Sequence, residues 1–158
     1  DSVVRQKNHF RCTDRHLLLD IVNRELEAGE RVVIETEHFV ALCPFASRQP
    51  YEMQVVPKQR AANFSEITEQ TQSDLAALLR NLIARLESVL PTPAFNWMFH
   101  TSPFDTNSQA YYHWHVEIVP RVTNTAGYEW ATGNAVNIVA PEAAASQLRQ
   151  ANGRAEKV

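Results

Sequence analysis

Residues 111–119 read Tyr-Tyr-His-Trp-His-Val-Glu-Ile-Val and alternate without interruption. The even positions Tyr112, Trp114, Val116 and Ile118 are apolar or aromatic. The odd positions Tyr111, His113, His115 and Glu117 carry groups that hold protons or metal ions. Successive side chains on a strand point to opposite faces, so the spacing predicts a strand with one packed face and one chemical face. A solvated strand face also shows polar residues at every second position. Two of the chain's six histidines on a single face make a converging site the stronger reading. Just upstream, residues 94–101 alternate too, with Phe95, Trp97 and Phe99 on one side and Asn96, Met98 and His100 on the other. The aromatic side is expected to face the core, with Trp97 and the later Trp130 as packing groups. If the two strands are neighbours, His100 meets the histidines of the second.

Working outward, residues 13–29 place Leu17, Leu18, Ile21, Val22 and Leu26 at helical spacing, with Thr13 or Asp14 as N-cap and Gly29 as the stop. Residues 31–35 and 38–43 are rich in β-branched residues, and the break at Thr36 and Glu37 predicts a hairpin closed by Pro44. A third strand is expected over 52–57, and a turn at Ser65 and Glu66 leads to the longest helix. There Leu75, Leu78, Leu79, Leu82, Ile83, Leu86 and Val89 trace one face, ended by Pro91 and Pro93. A last helix enters through Pro141 and ends near Leu148. Strands with short links, interspersed with helices, predict an α+β domain: an antiparallel sheet of about five strands covered by helices.

The composition limits what such a domain can do. The chain has 158 residues, 44% of them hydrophobic and 21% charged, which suits one globular domain over 1–158. Fifteen basic against eighteen acidic residues leave a net charge of -3. No basic field exists to hold nucleic acid or an anionic membrane, so neither is an expected partner. No apolar run approaches the roughly 20 residues of a membrane helix, and the polar start is not a signal peptide. A soluble, cytoplasmic protein is expected. Cys12 and Cys43 are far apart and read as reduced thiols, Cys43 as buried filler. Lys58 reads as a solvated strand end, and His9, His16 and His38 as surface or capping residues.

Two chemistries use a histidine cluster of this kind. Zinc or iron(II) takes imidazole nitrogen at about 2.0 to 2.1 Å, and three histidines with one carboxylate complete a coordination sphere. Alternatively, a histidine held in one tautomer attacks phosphorus while its neighbours donate to the phosphoryl oxygens. Spacing alone leaves both open.

The block from Tyr112 to Arg121 (Tyr-His-Trp-His-Val-Glu-Ile-Val-Pro-Arg) is followed by Ala126-Gly-Tyr-Glu-Trp130, Thr132-Gly133, Asn137, Pro141-Glu142 and Leu148-Arg149. This succession resembles the C-terminal half of galactose-1-phosphate uridylyltransferases and their nucleotidyltransferase relatives in the histidine-triad superfamily. Val33 to Val40, Pro44, Tyr51 and Val55-Val-Pro-Lys58 match in order, so the resemblance spans nearly the whole chain. It implies a histidine-triad-like fold and a cytoplasmic enzyme of galactose and carbohydrate metabolism. That enzyme moves UMP or AMP between a nucleotide sugar and a hexose 1-phosphate through a nucleotidyl-histidine, with a homodimer as the candidate assembly. In that family the nucleophile lies in a His-Pro-His-x-Gln motif of the N-terminal half. The motif is absent here, and Arg5-Gln6-Lys7 with Phe10 resembles the stretch that follows it. The chain is therefore expected to be the second half of a longer protein.

The resemblance further implies a structural zinc or iron(II) on His100, His113 and His115, with the fourth ligand at Asp1. Tyr128 and Glu129 fall at the sugar-holding positions, and a carboxylate can accept from two hydroxyls. Thr123 and Asn124 stand where relatives often carry a basic residue. Two alternatives stay open at this point. One is a complete histidine-triad hydrolase with His115 as catalytic nucleophile and Glu117 in the third triad place. The other is a non-catalytic domain whose metal pins two strands.

Overall fold

The computed structural model describes residues 2–104, 107–124 and 126–151. Five α-helices and five strands follow one another along them: α1 (Ser2–Thr13), α2 (Leu17–Ala28), β1 (Val32–Glu35), β2 (Phe39–Leu42), β3 (Met53–Pro57), α3 (Glu69–Val89), β4 (Phe95–His100), β5 (His115–Pro120), α4 (Gly127–Thr132) and α5 (Pro141–Gln150). The strands form one sheet in the order β1-β2-β3-β5-β4, every neighbouring pair antiparallel. With helices on both faces this is the expected α+β architecture. Among the described residues no helix is long and apolar enough to cross a membrane.

Two apolar clusters hold the sheet. On one face Leu75, Leu78, Leu79, Leu82 and Leu86 of α3, with Ala144, Ala145 and Leu148 of α5, pack on Phe39, Ala41, Met53, Val55, Val116 and Ile118. The leucine spacing of α3 places all five on one stripe, and Thr68 caps the helix by accepting from Thr71 N. On the other face Leu18 and Val22 of α2 cover Val40, Leu42 and Val56. Gly29 ends α2 at φ 70°, where its N–H reaches Glu25 O; the left-handed backbone is what glycine adopts freely. Cys43 lies fully buried, and burial pushes its thiol up to about 12, so it serves as packing. Lys58 ends β3 in an ion pair with Glu35 at 2.6 Å.

Several expectations need correcting. The first described residues form α1, for which the sequence offered no periodic pattern. It ends at Thr13, and α2 starts only at Leu17 with His16 at its N-cap position, so Thr13 and Asp14 do not cap it. Thr13 instead donates its hydroxyl back to His9 O, and His9 pairs with Asp20 at 2.8 Å, which fixes α1 against α2. The aromatic side of β4 does not face the core throughout. Phe95 packs against the large cluster, but Trp97 is 51% and Phe99 43% exposed. β4 is an edge strand, and the ring of Phe99 meets those of Phe64 and Trp97 with centroids 4.7 and 6.3 Å apart. Trp130 is likewise no packing group: it stands on the short α4, 79% exposed.

Candidate functional site

The face covered by α2 over β2 and β3 continues across β5 and β4 as a chemical surface. Antiparallel pairing puts His100 directly opposite His115, Met98 opposite Glu117 and Asn96 opposite Val119. Directly opposed residues share a face, so these side chains stand on the side away from Val116 and Ile118. The rings of His100 and His115 stack with centroids 4.6 Å apart and planes 9° from parallel. Glu117 closes the group: its Oε2 lies 3.2 Å from His100 Nε2 and its Oε1 3.8 Å from His115 Nε2. Ligand atoms from all three fall within 4.8 Å of one another.

His115 is 2% exposed. Its Nδ1 points at His113 O at 3.4 Å, which places the ring proton there and turns the Nε2 lone pair toward Glu117. Burial, with His100 second, lowers its pKa from 6.5 to about 4, so the ring is neutral near pH 7. His100 Nε2 is buried without a hydrogen-bond partner; its approach to Glu117 lacks hydrogen-bond geometry. A buried imidazole nitrogen with no partner costs free energy unless something binds it. Two imidazoles and a carboxylate are donors that zinc and iron(II) accept, leaving room for another ligand.

Sequence spacing expected His113 in this group, and the fold places it elsewhere. Ala61 N–H donates to His113 Nδ1 at 3.2 Å, so Nε2 carries the proton and donates to Pro57 O at 2.9 Å. Both ring nitrogens are thus committed to backbone, and burial lowers the pKa to about 4. The buried Gln6 of α1 accepts from His113 N at 2.8 Å, tying the first helix to the entrance of β5. Glu117 takes the place expected for His113. β5 pairs only from His115 onward, so the two-residue period that matters runs from 115 to 117, and the unbroken alternation of 111–119 carries no sign of where pairing starts. Asp1 lies outside the described residues.

The predicted sugar-contacting pair sits on α4. Tyr128 is 59% exposed. Glu129 accepts from Ala126 N at 2.7 Å and Val136 N at 3.2 Å, and these backbone donors lower its pKa. The carboxylate therefore closes the 126–136 turn while each oxygen keeps a further lone pair. A cavity of about 380 Å³ opens beside it, lined among others by Arg48, Gln49, Asn96, Met98 and Asn134. A smaller one of about 180 Å³ continues past Gln49 and Asn96 to Arg121, Thr123 and Asn124. Asn137 donates to Ser47 O and Gln49 O, both at 3.3 Å, holding the 44–52 loop against the following segment. Arg48 was not singled out by sequence, because a lone arginine in a loop carries no periodic signal. Its Nη2 lies 3.2 Å from Glu117 Oε2.

The five-stranded antiparallel sheet and its helices define a histidine-triad-like fold. A zinc-bound histidine triad family protein from Mycobacterium smegmatis superposes with a TM-score of 0.59 at 17% identity, covering 86% of this chain and 91% of that one. More specifically, residues 3–153 match the family described as galactose-1-phosphate uridyl transferase, C-terminal domain, and the chain belongs to that family. An ADP-glucose phosphorylase of Arabidopsis thaliana is 33% identical over 91% of this chain and 40% of its own length. The galactose-1-phosphate uridylyltransferase of Thermotoga maritima is 34% identical over 80% and 42%. The crystal structure of the Arabidopsis phosphorylase with bound ADP-glucose superposes with a TM-score of 0.82 at 31% identity, covering 93% of this chain and 47% of that one. The chain spans about two fifths of the length of the curated relatives it matches.

Proposed function

We propose that the intact protein is a nucleotidyltransferase that moves UMP or AMP between a nucleotide sugar and a hexose 1-phosphate, and that this chain supplies a metal site and sugar contacts. The observation that carries the reading is the family match across residues 3–153. Relatives named for uridylyl transfer to galactose 1-phosphate and for ADP-glucose phosphorolysis support the nucleotide-sugar substrate class. The reaction comprises two in-line displacements. An imidazole nitrogen attacks the α-phosphorus and the sugar phosphate departs with the bonding pair; a phosphate oxygen of the acceptor then displaces the imidazole. Two displacements replace one encounter between two anions.

His100, His115 and Glu117 would hold zinc or iron(II), which when bound supplies a fixed cross-link between β4 and β5. The His115 Nδ1 contact to His113 O leaves Nε2 as the nitrogen free for that task. Asp1 would complete the set, and His113 acts through backbone, locking the entrance of β5. Tyr128 and Glu129 would meet the sugar, Tyr128 with its exposed ring and hydroxyl and Glu129 with the lone pairs its backbone contacts leave. His115 as nucleophile of a standalone hydrolase is the weaker reading, because Glu117 beside it would repel a phosphate. The enzyme should show ping-pong kinetics and a nucleotidyl adduct after exposure to the nucleotide sugar alone. Sequential kinetics with no adduct would end the proposal, and an adduct lost in His115→Ala would transfer the chemistry to this half.

A further inference from the structure

The 44–52 loop carries one arginine whose position the proposed reaction does not explain. Arg48 Nη2 lies 3.2 Å from Glu117 Oε2 and 3.5 Å from Glu52 Oε1, yet its side chain is 58% exposed and lines the 380 Å³ cavity. Glu52 is buried and accepts from Arg48 N at 2.7 Å and Gln49 N at 3.2 Å, so it holds the loop backbone while the guanidinium stays open to water. Glu117 Oε2 is the same oxygen that approaches His100 Nε2. We propose that Arg48 is the resident counter-ion of Glu117, which a divalent cation on His100, His115 and Glu117 displaces into the adjoining cavity, where its guanidinium recognises the phosphate of a small sugar monoester.

The argument is one of charge and geometry, and it rests on the metal reading above. Without a cation, Arg48 faces two carboxylates, and this corner of the cavity is net negative and unwelcoming to an anion. A divalent ion adds two positive charges beside Glu117 Oε2. The carboxylate oxygen then serves the ion, and the like-charged guanidinium is driven off along the exposed path it already occupies. The guanidinium side of these pairs is open to water, the ion takes over the charge of Glu117, and Glu52 keeps its contacts to Arg48 N and Gln49 N, so no carboxylate is left uncompensated. In the cavity the fork of N–H donors matches phosphate oxygens. Gln49, Asn96 and Asn134 offer amides to sugar hydroxyls, and Met98 and Val119 give an apolar floor. A space of about this volume is in the range of small-molecule sites. Cation and phosphate ester should therefore bind with positive coupling, by the same factor from either side.

Calorimetry on the chain with zinc chloride and with glucose 1-phosphate tests this, using wild type, Arg48→Gln and His115→Ala. Arg48→Gln should bind zinc several-fold more tightly than wild type, since its competitor for Glu117 is gone. It should also lose about tenfold or more of the glucose 1-phosphate affinity of the zinc-loaded protein. Metal-free wild type should bind the ester at least tenfold more weakly than loaded protein. Arg48→Lys, keeping the charge but not the fork, should recover part of the loss. An unchanged melting curve for Arg48→Gln confirms that the fold is intact. Zinc binding lost in His115→Ala but unaltered in Arg48→Gln, or ester binding independent of zinc or of Arg48, overturns the role of Arg48 alone. Zinc binding equal in wild type and His115→Ala overturns the metal reading, and this proposal with it.

Discussion

At the scale of single residues, the two histidines of the HisTrpHis stretch share a chemistry and have different duties. His113 is enclosed by backbone: Ala61 N–H needs a lone pair on Nδ1, so protonating that nitrogen sets two donors against each other. His115 is shielded by burial and by His100. Both have pKa values lowered to about 4 from 6.5. Between those values the unfolded chain binds protons that the folded chain does not, so stability falls as pH drops from about 6.5 to about 4 and the contribution levels off below. For the metal-free protein the loss should reach on the order of a few kcal/mol per histidine. Denaturant midpoints measured across that range should slope less steeply in His113→Gln than in wild type, even though the variant is less stable throughout. Equal slopes would mean that His113 takes up its proton in the folded state at no cost. Glu129 is a second residue-scale case. In the intact enzyme Glu129→Ala should slow turnover of the hexose 1-phosphate about tenfold or more beyond any slowing of UMP release to water, because hydrolysis needs no sugar positioned. Equal losses together with a lowered melting point would leave Glu129 only its turn-closing contacts to Ala126 and Val136.

Among the elements, α3 and β4 show what side-chain periodicity reports and what it omits. The seven apolar positions read along the longest helix lie toward the sheet because a 21-residue helix has one direction in which to bury them. Leu82 is fully buried at the centre of that stripe, and Leu82→Ala should cost about 2 to 5 kcal/mol with an unchanged denaturant slope. The alternation of β4 is as regular, but it reports which side chains share a face, and cover depends on the neighbouring layer. Trp97→Ser should accordingly cost no more than about 1 kcal/mol, as substitutions at exposed positions do. A loss matching that of Leu82→Ala would mean that Trp97 is covered in solution. The first helix was not legible because its residues lack an apolar stripe. Its one fully buried side chain is Gln6, a polar residue whose value lies in a backbone 107 positions away.

For the molecule as a whole, the candidate site depends on two strands far apart along the chain. His100 and His115 become partners only through the β4–β5 register, and Arg48 arrives from a loop on the far side of β3. A cation bound by all three ligands would cross-link the edge strand to the sheet. Zinc at about 100 times its dissociation constant should stabilise the chain by roughly 2.7 kcal/mol, and His100→Ala should remove that shift. A zinc-dependent rise in melting temperature that survives His100→Ala would place the ion elsewhere. The order of motifs from Val33 through His115 to Glu129 by itself determined the α+β class, the family, the long leucine-striped helix, the hairpin and the strand that carries the chemistry. These are local patterns of turn, face and period. Tertiary structure alone decided that His113 leaves the cluster and Glu117 enters it, that Trp97 and Trp130 meet solvent, and that Arg48 sits on the same carboxylate as His100. Each of those outcomes depends on where pairing begins, how far a covering helix reaches and which loop crosses the strand ends, and residue spacing within a segment encodes none of them.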